Sequence, residues 1–227
     1  MKKLNLPFSL LIIFSLCGCV KGQIEESLVY FNDFEDGFAG FHLQNVSSNY
    51  SDERIEFFYN SNVLGRFGFG GLDIIINGVP QYDFIEVSFD LYIHDRWEGN
   101  GTAENNLQPD IFIFNIDNQN ILYSTFVNTM CQERTCDSQQ SYPQQFGNLN
   151  PENADAMLTN LPGVCEFEDK IGGSKKIFYR KRFNQGSDEI KLTLAAQLTR
   201  VNTEEFCLKS WSIDNLKVVG INIPEIQ

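Results

Sequence analysis

A chain of 227 residues that is 42% hydrophobic can bury a sizeable core, which excludes wholesale disorder, and no composition break separates a second domain. The formal charge of −13 excludes the basic footprint of a nucleic-acid-binding protein and fits cation binding or an exported, soluble domain. Twenty Phe and eight Tyr, with few runs of Ala, Leu, Lys and Glu, point to strands rather than helices.

The first segment reads as an address. Met1-Lys2-Lys3 is basic, and the apolar stretch from Phe8 to Leu16 is too short to span a bilayer. It ends in Leu16-Cys17-Gly18-Cys19, which resembles the bacterial lipoprotein signal, with Cys17 a departure from the usual residue at that place. The resemblance implies a signal peptide over 1–18, acylation of Cys19, and a lipidated tether over 19–27. The anchor would hold the domain on a membrane surface of the cell envelope, the outer membrane being the expected one. The alternative is an ordinary secretory signal cut after Gly18 or Gly22, giving a secreted protein. Losing residues 1–18 removes Lys2 and Lys3 but no acid, so 17 bases become 15 against 30 acids and the charge becomes −15.

Period-two alternation then predicts strands over Leu28–Phe31, Phe41–Val46, Arg54–Tyr59, Leu72–Ile76, Ile85–His94, Ile111–Ile116, Ile121–Phe126, Lys176–Phe183, Glu189–Leu198 and Ser212–Val219. No segment carries a capped helical stripe. Gly65-Arg66-Phe67-Gly68-Phe69-Gly70-Gly71 reads as close-packed glycine positions before a strand, and lacks the Lys-Ser/Thr pair of a phosphate loop. The stretch 128–173 reads as a long loop, ordered by the three cysteines it contains. These elements predict an all-β fold, a two-sheet antiparallel β-sandwich of jelly-roll type over 28–221, with a tail over 222–227.

Four cysteines follow Cys19. An even count in an exported chain suggests two disulfides, with three possible connectivities. The short spacing favours Cys131–Cys136 as a local clip, which leaves Cys165–Cys207. With only His42 and His94 in the chain, a zinc site is disfavoured.

The acidic tags at the two ends of the domain are Phe34-Glu35-Asp36-Gly37 and Trp211-Ser212-Ile213-Asp214-Asn215-Leu216. First and last strands of a sandwich are commonly neighbours, so these carboxylates could meet in the oxygen-rich arrangement that calcium prefers. The tags resemble the opening and closing strands of bacterial carbohydrate-binding modules with a jelly-roll fold, of concanavalin-like or galactose-binding-like kind. That resemblance implies a structural calcium held by Glu35 and Asp214, with Asp36 a further candidate. Leu64-Gly65-Arg66-Phe67-Gly68, Phe89-Asp90-Leu91-Tyr92 and Asp95-Arg96-Trp97-Glu98-Gly99 also resemble a recurrent domain of exported bacterial proteins that closes in the same Trp-x-Ile-Asp-Asn strand.

Asp95, Glu98 and Asp110 stand at the ends of adjacent predicted strands and could form a second oxygen site. Trp97 among them could offer a flat face to a sugar ring, with Tyr92 and Asn100 beside it as ligand-binding candidates. The competing expectation folds Trp97 over the rim of the sandwich. Asn45-Val46-Ser47, Asn49-Tyr50-Ser51 and Asn100-Gly101-Thr102 match the glycosylation pattern, which is incidental in a bacterial lipoprotein.

Catalysis has little support. The Glu-x-Asp-x-x-Glu strand of laminarinase-type glycanases is absent, as is a Gly-x-Ser-x-Gly elbow, and glycoside hydrolysis needs two converging carboxyls. The sequence therefore predicts a non-catalytic envelope lipoprotein that binds glycan or another surface ligand through a calcium-stabilised sandwich. A protein-binding adhesion module is the alternative, and a glycan-active hydrolase or lyase the less favoured one.

Overall fold

The computed structural model describes residues 24–37, 42–44, 55–68, 70–100, 108–128, 139–199 and 207–224. Cys19, Cys131 and Cys136 lie outside the described residues. The described chain is all-β. One sheet is built from β1 (Glu25–Asn32), β3 (Ile55–Phe58), β4 (Ser61–Phe67), β6 (Phe84–Asp95), β11 (Leu158–Pro162), β12 (Ile171–Asn184) and β14 (Lys209–Asn222). Its order is β11-β12-β6-β14-β4-β3, and β1 pairs with the distal half of β14. The second sheet contains β2 (His42–Gln44), β5 (Gly70–Asn77), β7 (Ile111–Ile116), β8 (Gln119–Thr125) and β13 (Glu189–Gln197), in the order β2-β5-β13-β7-β8. A short third ladder pairs β9 (Gln139–Gln140) with β10 (Asn150–Pro151). Every strand pairing in these sheets is antiparallel, the arrangement of a jelly-roll sandwich.

The alternation in β6 explains the layering. Val87, Phe89, Leu91 and Ile93 enter the core, while Asp90, Tyr92 and His94 lie on the opposite face. The two sheets meet through aromatic edges. Phe89 of β6 meets Phe114 of β7 at 5.2 Å between ring centroids, and Trp211 of β14 meets Phe112 of β7 at 5.3 Å. Each fully buried ring of this kind contributes about 1.5–3 kcal/mol by removal from water, so truncation of Phe112 would open the sandwich at its centre.

Two features of β14 place the candidate site. Its pairing with β6 shifts between Asp214 and Lys217, and Asn215 adopts a positive φ of 53°. Ile213 and Leu216 both enter the core, so one extra residue sits between them as a bulge and re-aims Asp214 and Asn215. On the other side β4 comes unusually close: a Cβ on Gly65 would lie 2.5 Å from the Cβ of Ser212. The glycine run does lead into a strand, with Gly70 and Gly71 opening β5, but it also contains the end of another. Its first member is inside β4, a central strand that the sequence reading passed over.

The expected loop over 128–173 also differs from expectation. Its described residues, Asn128 and those from Gln139 onward, include β9, β10 and β11 and the start of β12. Cys165 is joined to Cys207 by a disulfide that ties this excursion to the approach of β14.

Candidate functional site

The turn after β1 is shaped by Asn32. Its side-chain oxygen accepts the Phe34 N–H at 2.7 Å, and its amide donates to the Gly37 carbonyl at 3.1 Å. This Asx turn buries Phe34 and turns Glu35 outward to the β3–β4 hairpin. There Glu35 Oε1 accepts the Asn62 N–H at 2.8 Å, and Oε2 accepts the Asn62 amide at 3.0 Å. Ser61 Oγ lies 3.0 Å from Glu35 Oε1 and 2.8 Å from Asp214 Oδ2. Two carboxylates from opposite ends of the chain therefore share one hydroxyl.

A hydroxyl has one hydrogen, so it can donate to only one of them. The other carboxylate oxygen faces a lone pair unless a cation or a proton intervenes. Burial raises the Asp214 carboxyl above its ordinary value, opposed by the bonds from Ser61 and the Asn215 N–H and reinforced by the Asp90 carboxylate. Asp90 is itself held by Lys176 Nζ at 2.7 Å and the Asn215 amide at 2.8 Å. Glu35, Asp214, the Ser61 hydroxyl and the Asn62 carbonyl, 3.3 Å from Ser61 Oγ, form an oxygen set of the kind a hard cation takes. Asp36 is exposed and outside this set. Among the described residues, no three acidic, His or Cys side chains group as metal ligands. The cluster suits a cation only with hydroxyl, carbonyl and solvent oxygens completing its shell.

The second predicted oxygen site is not formed. Asp95, at a positive φ of 60°, turns away, and its Oδ1 accepts the N–H groups of Val164, Cys165 and Phe167 at 3.1–3.3 Å. It caps the disulfide-bearing loop. Its carboxyl is raised by burial, against those three bonds. Glu98 and Asp110 do converge, but on the Lys209 ammonium, at 3.2 Å and 2.7 Å. A lysine thus takes the place the reading gave to calcium.

The three ligand-binding candidates are corrected by their surroundings. Trp97 is fully buried, packs on Phe126 and donates its indole N–H to the Ser210 carbonyl at 2.9 Å. Its ring cannot meet a sugar. Tyr92 is buried between Phe58 and His94. Asn100 is committed internally: its oxygen accepts from Ser141 Oγ at 2.7 Å and Thr125 Oγ1 at 2.5 Å, and its amide donates to the Asn148 carbonyl at 3.0 Å. Asn100 thereby fastens the excursion to the sandwich.

The excursion itself is a ligand-binding suspect in the sequence, but the residues along it that form a groove are not singled out there. Gln145 covers the edge of β8, accepting the Tyr123 N–H at 2.7 Å and donating to the Ile121 carbonyl at 2.8 Å. Between this cover and the part of β12 beyond its pairing with β11 lies a groove of about 680 Å³. Its lining joins Phe178, 47% exposed, with Tyr142, Tyr179, Gln144, Asn148 and Asp155 and the cations Arg180 and Lys181. Among the described residues, neither Arg180 nor Lys181 is in an ion pair, whereas Lys176 and Arg182 on the same strand are. A signal existed. Lys175-Lys176-Ile177-Phe178-Tyr179-Arg180-Lys181-Arg182 gathers five bases in an acidic chain, and Phe178 breaks the polar face of its alternation.

No protein-family model matches the chain, and no curated protein matches it. Among solved structures, it is similar to the native structure of a family 35 carbohydrate binding module from Clostridium thermocellum, at 11% identity and a TM-score of 0.30, covering 86% of this chain and 97% of that one. It is also similar to the K3 cleaved adhesin domain of Lys-gingipain from Porphyromonas gingivalis w83, at 7% identity and a TM-score of 0.37, covering 86% of this chain and 99% of that one.

Proposed function

We propose that this chain is a non-catalytic binding module of the cell envelope that takes a glycan carrying acidic groups into the groove between β8 and β12. One observation carries the reading: Phe178, 47% exposed, lines a groove of binding-site size together with amides and two cations that are outside any ion pair among the described residues. An aromatic face takes the C–H face of a sugar ring, and amide and carboxylate groups order its hydroxyls. Arg180 and Lys181 supply the charge for carboxylate or sulfate groups, which an acidic protein would otherwise repel. Hydrolysis would need two facing carboxyls, and among the described residues Asp155 is the one acid lining this groove.

The reading includes a calcium ion at the junction of the two chain ends, held by Glu35 and Asp214 with the Ser61 hydroxyl. When bound, the ion supplies the charge that a single shared hydroxyl proton cannot. It would join the turn after β1, the β3–β4 hairpin and the β14 bulge, and so has a structural role distant from ligand chemistry. The reading also includes a lipid anchor at Cys19, for which mass spectrometry of the mature N-terminus is the test: an unmodified terminus downstream of Cys19 removes the anchor. For the groove, the test is titration of an acidic polysaccharide into wild-type protein and Phe178→Ala. Equal binding by the two would remove the groove from the account.

A further inference from the structure

Lys209 and Asp110 are an unusual pair to find in the interior. Lys209 opens β14 in one sheet, and Asp110 immediately precedes β7 in the other. Both are sealed from solvent, at 1% and 0% exposure. Lys209 Nζ lies 2.7 Å from Oδ2 and 2.9 Å from Oδ1, so the nitrogen faces the carboxyl carbon rather than one oxygen alone. Asp110 Oδ1 also accepts the N–H of Thr199 at 2.9 Å and its hydroxyl at 3.0 Å. The third member is Glu98, whose Oε2 is 3.2 Å from Nζ and whose own N–H reaches Asp110 Oδ2 at 3.0 Å.

We infer that Lys209 and Asp110 become joined by an intramolecular amide bond, with Glu98 as the proton-transfer group, so that the two sheets are covalently linked. The nucleophile, the electrophilic carbon and a carboxylate to carry protons are pre-assembled without solvent between them, which removes the entropic barrier of a bimolecular condensation. Glu98 takes a proton from the Lys209 ammonium, and the freed lone pair attacks Cγ of Asp110. Charge then develops on Oδ1, where the Thr199 N–H and hydroxyl already point, the arrangement of an oxyanion hole. The C–Oδ2 bond breaks, and Glu98 returns its proton to the departing oxygen. Of the three ammonium protons, two leave with Oδ2 as water and one stays on the amide nitrogen. Neither oxidant nor co-reactant is needed. The product replaces two buried charges, which are costly to desolvate, by a neutral amide.

Mass spectrometry of the full chain after thiol reduction, read at the peptide level, tests this. Wild-type protein should give a branched tryptic peptide joining the segments of Asp110 and Lys209, one water lighter than their sum, with no cleavage after Lys209. Glu98→Gln should fold and yield the two segments separately. Asp110→Asn should still link, losing ammonia in place of water, which separates the chemistry from any loss of folding. Separate segments in the wild type, with cleavage after Lys209, would show a buried ion pair only and overturn the inference. A water loss mapping elsewhere in the chain would do the same.

Discussion

The indole N–H of Trp97 donates to the carbonyl of Ser210 at 2.9 Å, fastening the loop after β6 to the start of β14. The tryptophan that looks most like a sugar platform in the sequence is therefore a structural pin. Trp97→Ala should cost about 3–5 kcal/mol of stability, as large-to-small changes of buried aromatics do. Urea denaturation should show a lower midpoint with an unchanged slope. Ligand affinity per folded molecule should be unaltered.

Shared possession of the Ser61 hydroxyl by Glu35 and Asp214 predicts a calcium effect. Adding calcium to chelator-treated protein should raise the melting temperature, by the equivalent of about 2.7 kcal/mol at a hundredfold excess over the dissociation constant. Asp214→Asn should remove the effect. Because burial raises the Asp214 carboxyl, calcium must displace a proton as pH falls through that raised value, and affinity should weaken in the same window. A melting temperature indifferent to chelator would dismiss the ion.

His94 gives a second pH prediction. It is fully buried between Ser174 and Ser212, and burial pushes its pKa down to about 3. The unfolded imidazole, at its ordinary value, binds a proton that the folded one refuses. Stability from this group is therefore complete above pH 6.5 and should fall by about 1.4 kcal/mol per pH unit on going down toward pH 3. Denaturant midpoints of wild type and His94→Gln over that range give the check: the variant should lose this part of the slope.

Lys175 is buried beneath the excursion, bonded to Gln140 Oε1 at 3.1 Å, and burial lowers its pKa to about 7. The unfolded lysine holds its proton up to its ordinary value of 10.5, so this group penalises folding at neutral pH, and the penalty eases as pH rises from 7 to 10.5. Lys175→Met should stabilise the protein by about 1–4 kcal/mol at pH 7, as replacing buried charge by packed apolar atoms does. Thermal unfolding at pH 7 and pH 10 should show the gain shrinking with pH.

The sheets were legible because alternation reports burial directly. The run through Phe89, Leu91 and Ile93 has one apolar face, Ile111–Ile116 is a near-continuous apolar run, and both form the strands expected of them. Ser61–Phe67 was not legible, because its glycine serves close approach to Ser212 and reads locally as a turn. The excursion resisted reading for another reason. Its short strands are held by side-chain amides, Gln140 to Val127 and Gln145 to Tyr123, and such pairings leave no periodic trace. The carboxylates were visible but their partners were not. Nothing local in the sequence tells that Glu98 and Asp110 face Lys209, about a hundred residues on, while Glu35 and Asp214 face one serine.

The measurement closest to the central claim is calorimetric titration of polygalacturonate, with neutral dextran as control, into wild type, Phe178→Ala and Arg180→Ala/Lys181→Ala. The account predicts binding of the acidic polymer by the wild type. Removing the Phe178 ring should weaken it roughly tenfold, the equivalent of about 1.4 kcal/mol. Removing the two cations should abolish the preference over dextran and flatten the dependence on salt. Failure of the folded wild type to bind, or unchanged affinity in both variants, would contradict the assignment of this groove.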